Sequence, residues 1–190
     1  MLERRWDRVD PLGGSSVTSL TEADYLAADY GRHRVELFDR GLVVSPAPDL
    51  RHQRVARRLA NAVESAAAPA GLLVYHGVNV RLDVDRVMIP DLVVTDAHDE
   101  GTVLDAKRVA LVGEVVSPRN AGIDWVLKMQ LYAIARIPWY LLVEQDGDSP
   151  SLRLHRLDGT HYVEDAVAKA GETLSVTEPF RWAMEPSALR

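Results

Sequence analysis

Two carboxylates stand where carboxylates are costly. Asp91 lies in "VMIPDLVV" and Glu114 in "ALVGEVVS", each within an aliphatic run of the kind that builds buried strands. An acid removed from water must be compensated by a cation, a hydrogen-bond network or a metal, or it gives up its charge. Strand side chains alternate between faces, so Asp91 shares a face with Ile89 and Val93, and Glu114 with Val112 and Val116. If the two strands are neighbours, the acids converge and repel, and a divalent cation relieves both the repulsion and the desolvation. A cation of the chain's own follows. Asp124, Lys128 and Tyr132 are spaced i, i+4, i+8 and line one stripe of a helix, with Leu127, Leu131, Ile134 and Ala135 supplying its apolar side. A short strand-to-helix connection would bring Lys128 toward Glu114. Plainer readings stand beside these. Asp91 could be a turn acid after proline, Glu114 one half of a buried ion pair with an arginine, Lys128 a solvated lysine paired with Asp124, and Tyr132 a packing residue with a partner for its hydroxyl.

These residues need elements to position them. A polar arm is expected over residues 1–20, with "GGSS" marking flexible backbone. Thr21 can cap a short helix that ends near Gly31. "HRVELFDRGLVVSP" reads as two strands about a turn at Arg40–Gly41. Asp49 can cap a helix that stops before Pro69 and places Val55, Leu59 and Val63 on one face. Residues 71–85 and 86–96 read as strands, 96–107 as a polar loop, and "RVALVGEVVS" as a strand ended by Ser117–Pro118. Residues 121–136 form a helix, "PWYLLVE" a strand, and the remainder a meander of strands. The whole is an α/β (α+β) arrangement: a mixed central sheet flanked by helices, with extra antiparallel strands toward the C-terminus. Residues 21–190 are expected to form one domain.

The order of the motifs carries a resemblance. "VELFDRGLVVSPAP", "HQ", "IPDLVV" and "EVVSP", followed by a helical lysine and tyrosine and then "IPWYLLVE", resembles the Uma-type putative restriction endonuclease family of the PD-(D/E)XK nuclease superfamily. The resemblance covers roughly residues 21–145 and implies a restriction-endonuclease-like fold. It implies that Asp91 and Glu114 hold Mg²⁺ or Mn²⁺, with the Val115 carbonyl as a further ligand and Glu36 as a third, more distant contact. The superfamily often places its lysine two residues after the second acid, where this chain has Val116; Lys128 matches the helical lysine that takes over in the Uma-type family. Tyr132 matches a tyrosine one turn later. The chain departs from the family at Trp139–Tyr140 and Glu144, where Tyr-Trp and a terminal Asp are common.

Composition narrows the remaining choices. There is no cysteine, so disulfides, thiolate zinc sites and a cysteine nucleophile are excluded. No apolar run is long enough to span a membrane, and "MLERRWDRVDPLGGSSV" has no signal-like apolar core, so a cytoplasmic protein is expected. The net charge of −6 opposes a surface coated in nucleic acid but allows a locally basic strip. Arg51, Arg54 and Arg58 can share a helix face and steer phosphate, or form a solvated arginine face. The six histidines show no metal-ligand spacing, though His52 falls in the "HQ" position, and Ser117 lacks the GxSxG context of a nucleophile. The expected function is metal-dependent hydrolysis of phosphodiester bonds in DNA, with homodimerisation as many such nucleases show. A non-catalytic module of the same fold that binds nucleic acid or a protein, and a hydrolase of smaller phosphate esters, are the alternatives.

Overall fold

The computed structural model describes residues 19–45, 47–97, 101–116, 123–145 and 149–190. The expected N-terminal arm (save its last two residues), His98, the Ser117–Pro118 strand end and the side chain of Asp124 lie outside the described residues.

Local chemistry sets the first elements. Thr21 caps α1 (Glu22–Ala27) through a reciprocal capping box with Asp24, and the helix stops a turn short of the expected Gly31. β1 (Arg34–Phe38) and β2 (Gly41–Ser45) form a hairpin. Its turn residues are Asp39 and Arg40, one position earlier than expected, with φ of 46° and 68°. Positive φ at both positions gives the turn whose twist matches that of the strands. Asp49 caps α2 (Leu50–Ala67) by accepting the His52 N–H, and Val55, Leu59 and Val63 are buried along one face.

The next stretch, rich in Val, Leu and Ile and broken by Gly and Asp, divides into four strands. It forms β3 (Leu73–Tyr75), β4 (Asn79–Asp83), β5 (Arg86–Met88) and β6 (Leu92–Thr95). β4 pairs with β5 in one sheet and β3 with β6 in another, so one long hairpin bends in both arms as it passes between sheets. The bends fall at Gly77, which has φ +64° and donates its N–H to the Pro90 carbonyl, and at Ile89–Asp91. Glycine permits the first. Pro90 lacks the N–H that continued pairing would use. Asp91 therefore sits at a bend before β6 and not within a strand, as its apolar flanks had suggested.

Residues 96–107 also differ from a plain loop, because they contain β7 (Val103–Asp105) and the start of a 3₁₀ turn, Ala106–Arg108. Then come β8 (Val109–Val116), α3 (Ile123–Ile134), β9 (Trp139–Glu144), β10 (Ser151–Asp158), β11 (His161–Ala168), β12 (Leu174–Val176) and β13 (Trp182–Met184). A six-stranded sheet runs β11-β10-β9-β8-β6-β3 and is antiparallel except where β8 and β9 lie parallel, joined across α3. A five-stranded sheet runs β2-β1-β5-β4-β7, and β12 pairs with β13.

Alternation along β6 and β8 divides the apolar residues between the two sides of the larger sheet. Leu92, Val94, Leu111 and Val115 pack with α2, while Val93 and Val112 pack with Leu131 and Tyr132 of α3. α3 is turned differently from its apolar pattern. Lys128, Leu131 and Tyr132 are buried, whereas Leu127 and Ile134 are 38% and 61% exposed. The stripe with the lysine and tyrosine is thus the inward one. Among the described residues, no helix is long and apolar enough to cross a membrane.

Candidate functional site

β6 and β8 are neighbours, with Leu92 opposite Gly113, so Asp91 at the start of β6 meets Glu114 near the end of β8. The two backbones approach closely here. A Cβ on Gly113 would stand 3.1 Å from the Leu92 Cβ, tighter than nine in ten real contacts of that kind. Asp91 Oδ2 accepts the Val115 N–H at 2.8 Å. The N–H and C=O of one strand residue face the same side, so the Val115 carbonyl lies on the edge that faces Asp91.

β1 completes the arrangement from the smaller sheet. Arg34 and Glu36 are two residues apart and share a face. β1 pairs with β5 at Leu37 and Val87; beyond that point β1 holds the bend by side chains. Glu36 Oε1 accepts the Ile89 N–H at 2.7 Å, and Arg34 donates to the Ile89 carbonyl. The backbone groups that the bend withdraws from the ladder are satisfied this way, as buried polar groups require. Lys128 Nζ donates to Glu36 Oε1 at 2.8 Å and lies 3.7 Å from Glu114 Oε1. Tyr132 donates its hydroxyl to Glu114 Oε1 at 2.7 Å. From the first turn of α2, His52 Nε2 reaches Asp91 Oδ1 at 3.3 Å.

Glu36, Asp91, Glu114 and Lys128 are all buried, so the electrostatics act in a poorly screened setting. Burial pushes the Glu114 carboxyl up to about 7; Asp91 and Glu36 add to the rise, and Lys128 and Arg34 oppose it. Burial acts on Asp91 in the same sense, but His52, Arg34 and the Val115 N–H outweigh it and hold that carboxyl well below the usual range. Burial opposes the Lys128 charge, yet Glu114 and Glu36 raise its pKa. For His52, the bond to Asp91 likewise outweighs burial, and its pKa is raised. Burial and the Glu114 charge keep the Tyr132 hydroxyl protonated.

The structure thus brings together Asp91, Glu114, Glu36, Lys128, Tyr132, His52 and the Val115 backbone. Glu36 joins the centre through Lys128 and the Ile89 N–H rather than by contact with the other two acids. Of the arginines on α2, Arg54 and Arg58 are exposed and Arg51 is partly buried. One central residue escaped the sequence reading. Arg34 NH1 lies 2.7 Å from Asp91 Oδ1 and NH2 lies 3.9 Å from Glu114 Oε2. Its alternation with Glu36 in "RVELF" was the available signal.

In kind, the donors suit a hard divalent cation: three carboxylates beside a backbone carbonyl, with three formal negative charges against the two positive charges of Arg34 and Lys128. In placement, the described residues bring no three acidic or histidine side chains to metal-binding distance of one another, and the Arg34 guanidinium bridges Asp91 and Glu114.

A mixed sheet carrying a helix on each face, with an acid at the start of one strand set against an acid in the next, is a restriction-endonuclease-like arrangement. The comparisons with known proteins agree. The Uma2 family, described as "Putative restriction endonuclease", matches residues 22–188, and the chain belongs to that family. A crystal structure of a putative nuclease belonging to DUF820 from Anabaena variabilis ATCC 29413 has a TM-score of 0.70 and 11% identity, covering 90% of this chain and 97% of that chain. At that identity the likeness is one of fold. No curated protein matches the chain.

Proposed function

We propose that the chain is an endonuclease that hydrolyses phosphodiester bonds in DNA with the help of Mg²⁺ or Mn²⁺. The observation that carries this reading is the meeting of Asp91, Glu114, Glu36 and Lys128 at one buried junction of two sheets, in a member of the Uma2 family. Asp91, Glu114, Glu36 and the Val115 carbonyl would hold the cation. When bound, such a cation lowers the pKa of water and offsets phosphate charge. Lys128 orients the attacking water or meets negative charge that develops on the phosphoryl oxygens. Tyr132 and Glu36 fix Glu114 and Lys128, and His52 steadies Asp91. Arg51, Arg54 and Arg58 supply phosphate contacts outside the chemistry. Cutting both strands needs two such sites, which makes a homodimer the natural assembly.

Supercoiled plasmid incubated with protein and Mg²⁺ or Mn²⁺ should be nicked or linearised, and Asp91→Ala or Glu114→Ala should abolish cutting. Undiminished cleavage in excess chelator would overturn the scheme. Arg34, seated between the two acids, favours a second reading: a non-catalytic descendant that binds nucleic acid or a protein partner. It predicts DNA retention without cleavage under the same conditions.

A further inference from the structure

The acids at this junction are already partly compensated, Asp91 by His52 and Arg34 and Glu114 by Lys128 and Arg34, and Arg34 is the one cation shared by both. Its NH1 pairs with Asp91 Oδ1 at 2.7 Å, its NH2 donates to the Ile89 carbonyl, and NH2 faces Glu114 Oε2 at 3.9 Å. Lys128 serves the other pair, Glu36 at 2.8 Å and Glu114 Oε1 at 3.7 Å. The two cations therefore divide the three carboxylates between them, and Arg34 takes the interval that separates Asp91 from Glu114. That hold is incomplete. Among the described residues, buried Arg34 Nε has no hydrogen-bond partner, and NH2 is beyond hydrogen-bond range of Glu114. A guanidinium has five donors in a fixed fork, and a fork spread over one carboxylate, one carbonyl and a distant second carboxylate cannot use them all. The side chain is also 21% exposed, whereas both acids are nearly sealed, so it has a way out toward solvent that they do not.

We infer that Arg34 is a resident counter-cation, which holds Asp91 and Glu114 together when no metal is bound and must be displaced from between them when a divalent cation enters. The inference rests on the metal-site reading above and adds a regulation of that site. A divalent ion and a guanidinium cannot share one gap between two carboxylates, since like charges at a few ångströms in a poorly screened interior repel strongly. Binding of the ion is thus an exchange of cations. Its affinity is reduced by whatever Arg34 contributes to the metal-free protein. A fixed counter-charge also explains how three buried acids are tolerated without metal.

The test compares Mn²⁺ binding, by calorimetry and by electron paramagnetic resonance, in the wild type, Arg34→Gln and Arg34→Lys, with thermal unfolding followed alongside. Arg34→Gln should bind Mn²⁺ at least roughly tenfold more tightly than the wild type, because it removes one nearby unit charge and clears the gap. Its metal-free melting temperature should fall, and Mn²⁺ should raise it by more than in the wild type. Arg34→Lys keeps the charge without the fork and should lie between the two. If Arg34→Gln unfolds in chelator, refolding on addition of Mn²⁺ supports the exchange, and failure to refold counts against it. Equal or weaker Mn²⁺ binding by Arg34→Gln, with the wild type binding normally, overturns the role of Arg34 while leaving the metal site intact. Absence of Mn²⁺ binding in every form overturns both.

Discussion

Glu114 is the residue on which the electrostatics of the centre converge. It receives the Tyr132 hydroxyl, faces Lys128 and Arg34, and is pushed up to about 7 chiefly by burial. The folded chain therefore keeps a proton on Glu114 through a range where the unfolded chain, near the ordinary 4.5, has lost it. Between those values the native state binds more protons, so stability falls as pH rises from about 4.5 to about 7. His52, raised by Asp91, acts in the same sense, since its charged form is favoured in the folded state and that gain is lost as pH rises. Asp91 acts oppositely, because its depressed pKa gives stability that is lost only as pH falls below the ordinary carboxylate range. Urea unfolding of the metal-free protein should show the decline, and Glu114→Gln should flatten it. A slope unchanged by that substitution would show that Glu114 does not titrate there. Asp91, Glu114 and Lys128 could be picked out beforehand because charge among aliphatic neighbours is a local signal. For Arg34 the local signal was only its alternation with Glu36, because its partnership with Asp91 spans 57 positions and depends on which strand lies beside the bend.

At the scale of elements, the close approach of β6 and β8 brings the acids within reach of shared cations. Gly113 permits it. Gly113→Ala would set a methyl 3.1 Å from Leu92 Cβ and 3.3 Å from its Cδ2, so Leu92 and the strand that carries it would have to give by a few tenths of an ångström. We predict a loss of about 1–3 kcal/mol in chemical denaturation, as for overpacked cores. Cleavage and Mn²⁺ affinity should fall further than that loss explains, because Asp91 and Glu114 are carried apart. Wild-type Mn²⁺ affinity in the variant would show that the spacing is unimportant. The caps at Thr21 and Asp49 and the stop near Pro69 were legible in the chain because each depends on residues within a turn or two. The bend at Ile89–Asp91 was not. Pro90 announces a break, but the direction taken is set by Arg34 and Glu36 reaching over from β1. The orientation of α3 was misleading for a related reason. Burying Lys128 and Tyr132 is favourable only because Glu36 and Glu114 wait beneath them, and helix periodicity carries no record of those partners.

Over the whole molecule, the proposed activity would require an acidic protein of net charge −6 to approach an acidic polymer. Exposed Arg54 and Arg58 lie one turn apart on α2, the helix whose first turn brings His52 to Asp91. If this side meets DNA, binding should weaken steeply with salt, and Arg54→Ala and Arg58→Ala should each lower the logarithmic salt slope by about 1 with little change between DNA sequences. Identical slopes in wild type and variants would place the contact strip elsewhere. The mixed sheet with a helix on either side was readable from the order of the elements, whereas the division of strands into two sheets was not, because it is decided at Gly77 and Pro90 by long-range pairing.

The ionic junction joins residues far apart along the chain: Arg34 to Asp91 over 57 positions, Glu36 to Lys128 over 92. During synthesis from the N-terminus, Asp91 is present well before Lys128 exists. A nascent or partly folded chain consequently owns the acids without the amine that completes the set. The junction is complete only when both of these long-range pairings have formed, so an incompletely folded copy holds the acids without their organised partners.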